Sequence, residues 1–195
     1  MVHLITGGSG SGKSEYAEDM ACRYHIDKSL EEPLIYVATM YPYGEETRRK
    51  IRRHQKMREG KGFETVECYT GLARVAGMLK PCGGASVLIE CISNLVSNEL
   101  YDGSYTGMPA DQMPGKEAAG DCTADQILQG VEAIRSASGN VVIVTNEVES
   151  EGLAYDAEMI RYKQVMGEVN CRLAELADRV TEVVYGIAVE VKNRL

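Results

Sequence analysis

The first residues with a clear chemical pattern lie near the start of the chain, where residues 7–14 fit G-x-x-x-x-G-K-[ST] at every specified position. Glycines let the backbone turn tightly, so that its N–H groups point at phosphate oxygens. The Lys13 ammonium is expected to reach the β- and γ-phosphates of a nucleotide, and the Ser14 hydroxyl to bind Mg²⁺. A glycine-rich turn with a chance lysine is the alternative. The residues of this predicted phosphate loop are Gly7, Gly8, Ser9, Gly10, Ser11, Gly12, Lys13 and Ser14.

A phosphate loop needs a second acidic group that organises Mg²⁺ or an attacking water, and Glu90 is the best candidate for it. It ends the apolar run Val87–Glu90, which is where P-loop proteins place such a carboxylate at the end of a strand. An ordinary strand-end glutamate is the other interpretation, and both stay open on the sequence. Glu147 follows a second apolar run and is a weaker candidate for the same edge of a sheet.

A strongly basic segment covers residues 48–61 and contains eight of the 21 basic residues of the chain with one acidic residue, a local net charge of +7. On a helix, Lys50, His54 and Arg58 lie four residues apart and share a face. Two neighbouring cations lower the pKa of an imidazole, which leaves His54 with a neutral nitrogen that could attack a phosphorus atom. A solvated basic helix with an incidental histidine is the alternative.

Short apolar runs alternate with longer helical patterns, and this alternation predicts an α/β fold with a mostly parallel sheet flanked by helices. Helical spacing of apolar residues predicts helices over Ser14–Tyr24 and Ala157–Ala177. The segment Asp102–Asp125 is rich in Gly, Asp and Pro and is predicted to be an exposed excursion. The predicted strands are Val2–Thr6, Leu34–Thr39, Ser86–Cys91, Val141–Asn146 and Glu182–Val191, the last split or folded into a hairpin at Gly186.

Composition limits the classes of protein that the chain can represent. Its 195 residues are predicted to form one domain over 1–195, and the net charge of −8 argues against a protein that coats nucleic acid. No apolar run approaches the roughly 18 residues of a membrane span, so a cytoplasmic protein is expected. The six cysteines are scattered, which favours reduced thiols over a zinc or disulfide site. They are Cys22, Cys68, Cys82, Cys91, Cys122 and Cys171.

Together, these motifs closely resemble the bifunctional adenosylcobinamide kinase/adenosylcobinamide-phosphate guanylyltransferase family of cobalamin biosynthesis. The histidine block followed by T-x-E, L-x-E-C and T-N-E-V is specific to that family, whereas the phosphate loop alone is generic. The matching pieces are, in chain order, Ile5–Gly8 with Ser11–Ser14, Tyr36–Thr39, Ile51–His54 with Arg58, Thr65–Glu67, Leu88–Ile92, Val144–Val148 and Val169–Leu173.

The resemblance implies a RecA-like P-loop fold and two reactions. The first phosphorylates adenosylcobinamide with ATP or GTP; the second transfers GMP from GTP to adenosylcobinamide phosphate through a guanylylated histidine, His54. Catalytic roles are implied for His54, Lys13 and Glu90, and Mg²⁺ ligation for Ser14 and Glu90. A homo-oligomer is also implied, a trimer by family resemblance. The implied nucleotide contacts are the phosphate loop, Ala38, Thr39, Met40, Gln55, Lys56, Met57, Arg58, Glu67 and Glu90.

Two other functions stay open on the sequence. A small-molecule P-loop kinase would need no covalent step at His54. A nucleotide-gated module could use the basic segment to grip nucleic acid, although that segment has no interleaved aromatic residues on which bases could stack.

Overall fold

The computed structural model describes residues 1–28, 32–79, 84–105, 116–147 and 156–194. Cys82, Val148 and the segment 149–155 lie outside these ranges. The elements within them are β1 (Val2–Thr6), α1 (Lys13–Lys28), β2 (Leu34–Ala38), α2 (Gly44–Met57), β3 (Glu64–Glu67), α3 (Ala73–Ala76), β4 (Ser86–Glu90), α4 (Ile92–Tyr105), α5 (Lys116–Ala137), β5 (Asn140–Val144), α6 (Ala157–Leu176), β6 (Arg179–Val184) and β7 (Ile187–Asn193).

These strands form a single sheet in the order β3-β2-β4-β5-β1-β6-β7. Every neighbouring pair is parallel except β6 and β7, which form an antiparallel hairpin at one edge. The predicted α/β class with a mostly parallel sheet is therefore confirmed. β1, β4 and β5 are apolar and almost wholly buried, as strands covered on both faces must be.

Helices cover both faces of the sheet. On one face α1 buries Ala17 and Ala21 against Ile5, Leu88 and Val142 of the sheet. On the other face α3, α4, α5 and α6 enclose a larger apolar cluster, and α5 lies against both α3 and α6. This three-layer arrangement leaves the strand ends as the places where loops can build a site.

The carboxyl ends of four strands meet at the same edge of the sheet. Ala38 of β2 pairs with Glu90 of β4, and Glu90 pairs with Val144 of β5. Val144 in turn pairs with Ile5, one residue before the end of β1. The phosphate loop after β1, the segment after β2 and the β4 carboxylate therefore lie side by side.

Most predicted elements are confirmed, with one correction. The run Glu182–Val191 is a hairpin, one of its two predicted alternatives, and its turn is Tyr185–Gly186. The predicted exposed excursion over Asp102–Asp125 is wrong where the structure describes it, because α4 continues to Tyr105 and α5 begins at Lys116. Ala124 is buried, and the apolar residues that follow it pack α5 into the core, so tertiary packing overrides a weak local helix signal. No helix in the described ranges is long and apolar enough to cross a lipid bilayer.

A buried histidine links β1 to the neighbouring strand β6 and to helix α1. His3 of β1 is completely buried, and its two ring nitrogens hydrogen bond with Thr181 of β6 at 2.8 Å and with the Tyr24 hydroxyl of α1 at 3.0 Å. Burial, helped by the positive charge of Arg179, lowers the pKa of His3 to about 4. The folded protein therefore holds this imidazole neutral.

This burial predicts an acid-sensitive contribution to stability. Because the pKa of His3 falls from 6.5 to about 4 on folding, its contribution is present above pH 6.5 and is lost as the pH falls through 4. The expected loss is about 3 kcal/mol at most. Urea unfolding of the wild type and of His3→Gln between pH 8 and pH 4 measures it. The wild type should lose more stability than the variant over this interval, and parallel pH profiles would contradict the prediction.

Candidate functional site

The phosphate loop has the backbone geometry that its sequence predicts. Gly7, Gly10 and Gly12 have positive φ values of 144°, 73° and 93°, and a Cβ on Gly7 would lie 2.4 Å from the Val183 carbonyl oxygen. Glycine is therefore required at Gly7 both by conformation and by space. Helix α1 begins directly at Lys13, so its positive end faces the loop.

Lys13 is held inside the loop. The residue is only 7% exposed, and its ammonium donates a hydrogen bond to the Gly8 carbonyl oxygen at 2.9 Å. Burial lowers the pKa of Lys13, and the negative charges of Glu90 and Glu147 act in the opposite direction. A buried cation whose described polar contact is a neutral carbonyl keeps its charge available for a bound anion.

A cavity of about 340 Å³ lies beside this loop, and we call it the phosphate cavity. Cations from two elements line it, Lys13 of α1 and both Lys50 and Arg53 of α2. The phosphate cavity is lined by Ser9, Gly10, Ser11, Gly12, Lys13, Ser14, Glu15, Met40, Lys50, Arg53, His54, Met57, Glu90, Cys91, Asn94, Val144 and Asn146.

Glu90 lines this cavity and contacts the last residue of the phosphate loop, Ser14. Its Oε1 accepts a hydrogen bond from the Ser14 hydroxyl at 2.6 Å, while Oε2 is buried and has no hydrogen-bond partner among the described residues. Burial raises the pKa of Glu90 to about 7, an effect opposed by the Ser14 hydrogen bond. A hydroxyl beside a carboxylate with a free oxygen matches the oxygen ligands that Mg²⁺ takes when phosphates complete its shell.

A second cavity, of about 100 Å³, lies between β2, α2 and β3, and we call it the apolar cavity. One side is formed by Arg58, whose guanidinium lies 3.8 Å from the centre of the Tyr36 ring. Glu67 lines the cavity and accepts a hydrogen bond from Tyr69. The apolar cavity is lined by Tyr36, Ala38, Met40, Pro42, Ile51, His54, Gln55, Arg58, Thr65, Glu67, Tyr69, Glu90, Cys91 and Asn94.

His54 lies where the two cavities meet and lines both of them. Its Nδ1 is buried and has no hydrogen-bond partner among the described residues. Burial lowers the pKa of His54, and the nearby charges of Arg58, Arg53 and Lys13 lower it further. The predicted direction of the shift is confirmed, but burial is its largest cause and Lys50 is not one of its causes. The result is a neutral imidazole near several cations.

The structure brings most of the predicted nucleotide contacts to these cavities. Met40 lines both, Ala38, Gln55, Arg58 and Glu67 line the apolar cavity, and Met57 lines the phosphate cavity. Four predicted residues line neither cavity. Two of them are Gly7 and Gly8 at the start of the phosphate loop. The other two are Thr39, whose buried side chain donates to the Cys91 carbonyl, and the exposed Lys56.

Sequence reasoning assigned no role to several residues that line the site, and Asn94 and Tyr36 are two of them. Asn94 of α4 lines both cavities, and the buried Tyr36 forms part of the apolar cavity. Tyr36 belongs to one of the motif pieces, which is a signal that could have identified it. Asn94 carries no such signal, because only the turn after β4 brings it to this edge.

Comparison with known proteins agrees with this geometry. The sequence profile of the CobU family, described as cobinamide kinase / cobinamide phosphate guanyltransferase, matches residues 3–191. The chain belongs to this family. It is 32% identical to the bifunctional adenosylcobalamin biosynthesis protein CobU of Salmonella typhimurium over 98% of this chain and 100% of that protein. CobU of Escherichia coli is 31% identical over 98% of this chain and all of its own length.

This CobU-family chain is also similar to a protein of lower identity and to a solved structure. CobP of Pseudomonas aeruginosa is 26% identical over 99% of this chain and 98% of its own length. A solved ATPase domain matches with a TM-score of 0.51 over 99% of this chain and 77% of that domain, at 11% sequence identity. At this low identity the match is informative about the fold alone. The structural similarity confirms the expected P-loop ATPase architecture.

The environment of Glu90 predicts opposite effects on stability and turnover for Glu90→Gln. The pKa of Glu90 is about 7 in the folded protein and 4.5 ordinarily. The contribution of this carboxyl to the free energy of unfolding is therefore complete below pH 4.5 and is lost as the pH rises through 7. The uncharged glutamine should therefore stabilise the protein at pH 8 by up to about 3 kcal/mol relative to wild type. Turnover should fall at least about tenfold, because the charge beside Ser14 is gone.

Urea unfolding at pH 5 and pH 8 and steady-state kinetics measure these two effects. The matched control is Glu147→Gln, an exposed glutamate after the neighbouring strand β5, which should leave stability unchanged at both pH values. Unchanged turnover in Glu90→Gln would remove Glu90 from the site, and an equal loss of stability and turnover would indicate a structural role.

Proposed function

We propose that this chain phosphorylates adenosylcobinamide with ATP or GTP and then transfers GMP from GTP to adenosylcobinamide phosphate. The products of the second reaction are adenosylcobinamide-GDP and pyrophosphate. The observation that carries the proposal is the position of His54, in the boundary between the phosphate cavity and the apolar cavity. A nucleotide whose base enters the apolar cavity and whose terminal phosphates reach the loop would present its α-phosphate near this imidazole.

The transfer reaction is proposed to begin at the imidazole. A neutral ring nitrogen of His54 attacks the α-phosphorus of GTP, a phosphorus–nitrogen bond forms, and the bond from that phosphorus to the bridging oxygen breaks. The electron pair leaves with pyrophosphate, whose negative charge lies among Lys13 and the backbone N–H groups of the phosphate loop. The lowered pKa of His54 supports this step, because a protonated imidazole has no ring-nitrogen lone pair with which to attack.

The second half of the transfer reverses the bonding at the same phosphorus. A phosphate oxygen of adenosylcobinamide phosphate attacks the guanylylated His54, an oxygen–phosphorus bond forms, and the phosphorus–nitrogen bond breaks. The imidazole leaves as the neutral group that it was at the start. Two in-line displacements give net retention of configuration at phosphorus, which distinguishes this route from direct transfer.

The kinase reaction is proposed to use the phosphate cavity without His54. Lys13 and the loop backbone hold the triphosphate, and Glu90 accepts the proton of the substrate hydroxyl or holds Mg²⁺ together with Ser14. Mg²⁺, when bound, neutralises charge on the phosphates. The Glu90 pKa of about 7 suits a group that exchanges a proton near neutral pH.

The contacts within α2 weigh against nucleic-acid binding. Glu46 pairs with Lys50 at 2.9 Å, and Glu45 pairs with Arg52 at 2.8 Å. Part of the positive charge of the helix is therefore neutralised on its own surface. A simple P-loop kinase has the same phosphate cavity and is separated from the proposal by the covalent step alone.

Replacing His54 tests the proposal directly. His54→Ala should abolish protein labelling by GTP carrying a labelled α-phosphate and should abolish formation of adenosylcobinamide-GDP, because no nitrogen is left to form the adduct. Kinase activity should stay within about threefold of wild type. Lys13→Ala should instead depress both activities, because both reactions use a triphosphate held at the same loop.

Peptide mapping of the labelled protein and its chemical stability complete this test. The label should map to His54, be lost in acid and survive alkali, as a phosphorus–nitrogen bond does. Arg52→Ala is the matched control on α2, since Arg52 is exposed, pairs with Glu45 and lines neither cavity. A label on another residue, or normal GMP transfer by His54→Ala, would overturn the covalent role.

We also propose that the protein is a homo-oligomer, as the family resemblance to a trimeric member suggests. The β6–β7 hairpin supports this proposal because it exposes apolar side chains at the edge of the sheet. Tyr185 is 93% exposed and Ile187 is 68% exposed, and Val189 and Val191 are exposed beside them. A row of exposed apolar residues on an edge strand is typical of a surface that another subunit covers.

Charged substitutions on this edge test the oligomer. Ile187 and Val189 are two residues apart on β7 and share a face, so Ile187→Glu/Val189→Glu should dissociate the assembly in sedimentation velocity experiments. Ile26→Glu is the matched control, because Ile26 is exposed alone on α1. A wild type that sediments as a monomer would contradict the proposal.

A further inference from the structure

Helix α2 carries His54 but, between Gly44 and Met57, has no fully buried residue that would fix it to the rest of the protein. An amphipathic helix is usually fixed by an apolar stripe against the core, and α2 lacks a buried one. The position of His54 relative to the phosphate loop must therefore depend on contacts at the ends of the helix.

The turn after α2 makes such a contact through Lys61. The Lys61 ammonium donates hydrogen bonds to Glu18 Oε2 at 3.0 Å and to Asp19 Oδ1 at 3.1 Å, both on α1. The two acidic partners differ in environment, since the Glu18 side chain is wholly buried and that of Asp19 is 56% exposed. Glu18 therefore provides the strong, unscreened half of this contact.

Glu18 depends on this lysine. Its second oxygen, Oε1, is buried and has no hydrogen-bond partner among the described residues. Burial raises the pKa of Glu18, and the hydrogen bond and charge of Lys61 oppose that effect. A buried carboxylate with one bonded oxygen holds its cationic partner firmly, because separating the pair would leave the charge without compensation.

Short backbone links connect Lys61 to His54. The Lys61 N–H donates to the Arg58 carbonyl, and the Arg58 N–H donates to the His54 carbonyl. Arg58 is itself buried against the Tyr36 ring. A displacement of Lys61 therefore moves the end of α2 that carries His54.

The other partner of the ion pair is linked to the phosphate loop. Glu18 lies one helical turn after Ser14 on α1, and the same helix begins at Lys13. Lys61 is therefore connected to the end of α2 that carries His54, and Glu18 is connected to the phosphate loop. Both parts of the site are needed for guanylyl transfer.

We propose that the Lys61–Glu18 ion pair fixes His54 at the correct distance from the phosphate loop, so that Lys61 and Glu18 are positioning residues for the guanylyl transfer reaction. This inference rests on the proposed function. The groups assigned to phosphoryl transfer, the phosphate loop and Glu90, are held by α1 and β4. Helix α2 lines the same cavity with Lys50 and Arg53 but carries none of those groups. Loss of the pair should therefore impair the transferase reaction and largely spare the kinase reaction.

Lys61→Gln tests the inference. Asp19→Asn is the matched control, which removes only the negative charge of the exposed partner and keeps an oxygen that can accept the hydrogen bond. The rate of His54 labelling by α-labelled GTP should fall at least about tenfold in Lys61→Gln, while the kinase kcat stays within about twofold. Asp19→Asn should change neither rate by more than about twofold, and Lys61→Arg should restore most of the labelling rate.

A second variant covers the case in which Lys61→Gln folds poorly, since it leaves Glu18 buried without its cation. Glu18→Gln/Lys61→Gln leaves no unpaired charge and should show the same selective loss of labelling. Normal labelling by the double variant, or a parallel fall of both activities in it, would overturn the positioning role.

The pKa of the His54 imidazole, followed by NMR titration, separates this inference from the proposed function. If the ion pair positions the helix, this pKa should move back toward its ordinary value in the double variant and stay unchanged in Asp19→Asn. A wild type that takes no label refutes the covalent role of His54, whatever the titrations show. An unchanged pKa in the double variant refutes the positioning role, whether or not the wild type is labelled.

Discussion

The hydrogen bond from the Ser14 hydroxyl to the Glu90 carboxylate joins the first turn of α1 to the carboxyl end of β4. Because β5 lies between β1 and β4, this contact bridges two strands that are not neighbours in the sheet. It fixes the phosphate loop relative to the edge at which both cavities meet. His54 can react with a bound nucleotide only if its imidazole lies at a fixed distance from the phosphates at the loop. That distance is defined only when the loop itself is held in place.

The cations of the site are held in a way that keeps their charge available. Lys13 and Arg58 are both nearly buried, and burying an ion costs several kcal/mol unless it is compensated. In the described contacts Lys13 is bonded to the Gly8 carbonyl and Arg58 is stacked on Tyr36, so neither is paired with a carboxylate. Burial is the main reason that the pKa of His54 is lowered, and the positive charges of Arg58 and Lys13 lower it further. The same positive potential is free to bind an anionic substrate.

Local signals in the sequence predict the parts of this protein that depend on local geometry. The phosphate loop and Glu90 could be found because their spacing is fixed by one strand end and one turn, and apolar runs such as β5 identify the buried strands. The edge strand Glu64–Glu67 was missed because it is polar and mostly exposed, so it has no apolar pattern. The contact between Lys61 and Glu18 was also missed, because it joins residues 43 positions apart and exists only in the folded chain.

The pairing of β1 makes the phosphate loop depend on distant parts of the chain. The strand that precedes the phosphate loop lies between β5 and β6, so Ile5 pairs with Val144 on one side and with Thr181 on the other. The loop itself is supported by the hairpin turn, where the Gly186 N–H donates to the Ser11 carbonyl. The phosphate loop thus depends on residues about 175 positions further along the chain, which become its neighbours only when the sheet has formed. A local sequence motif recognises the phosphate, but a distant strand and turn hold that motif in shape.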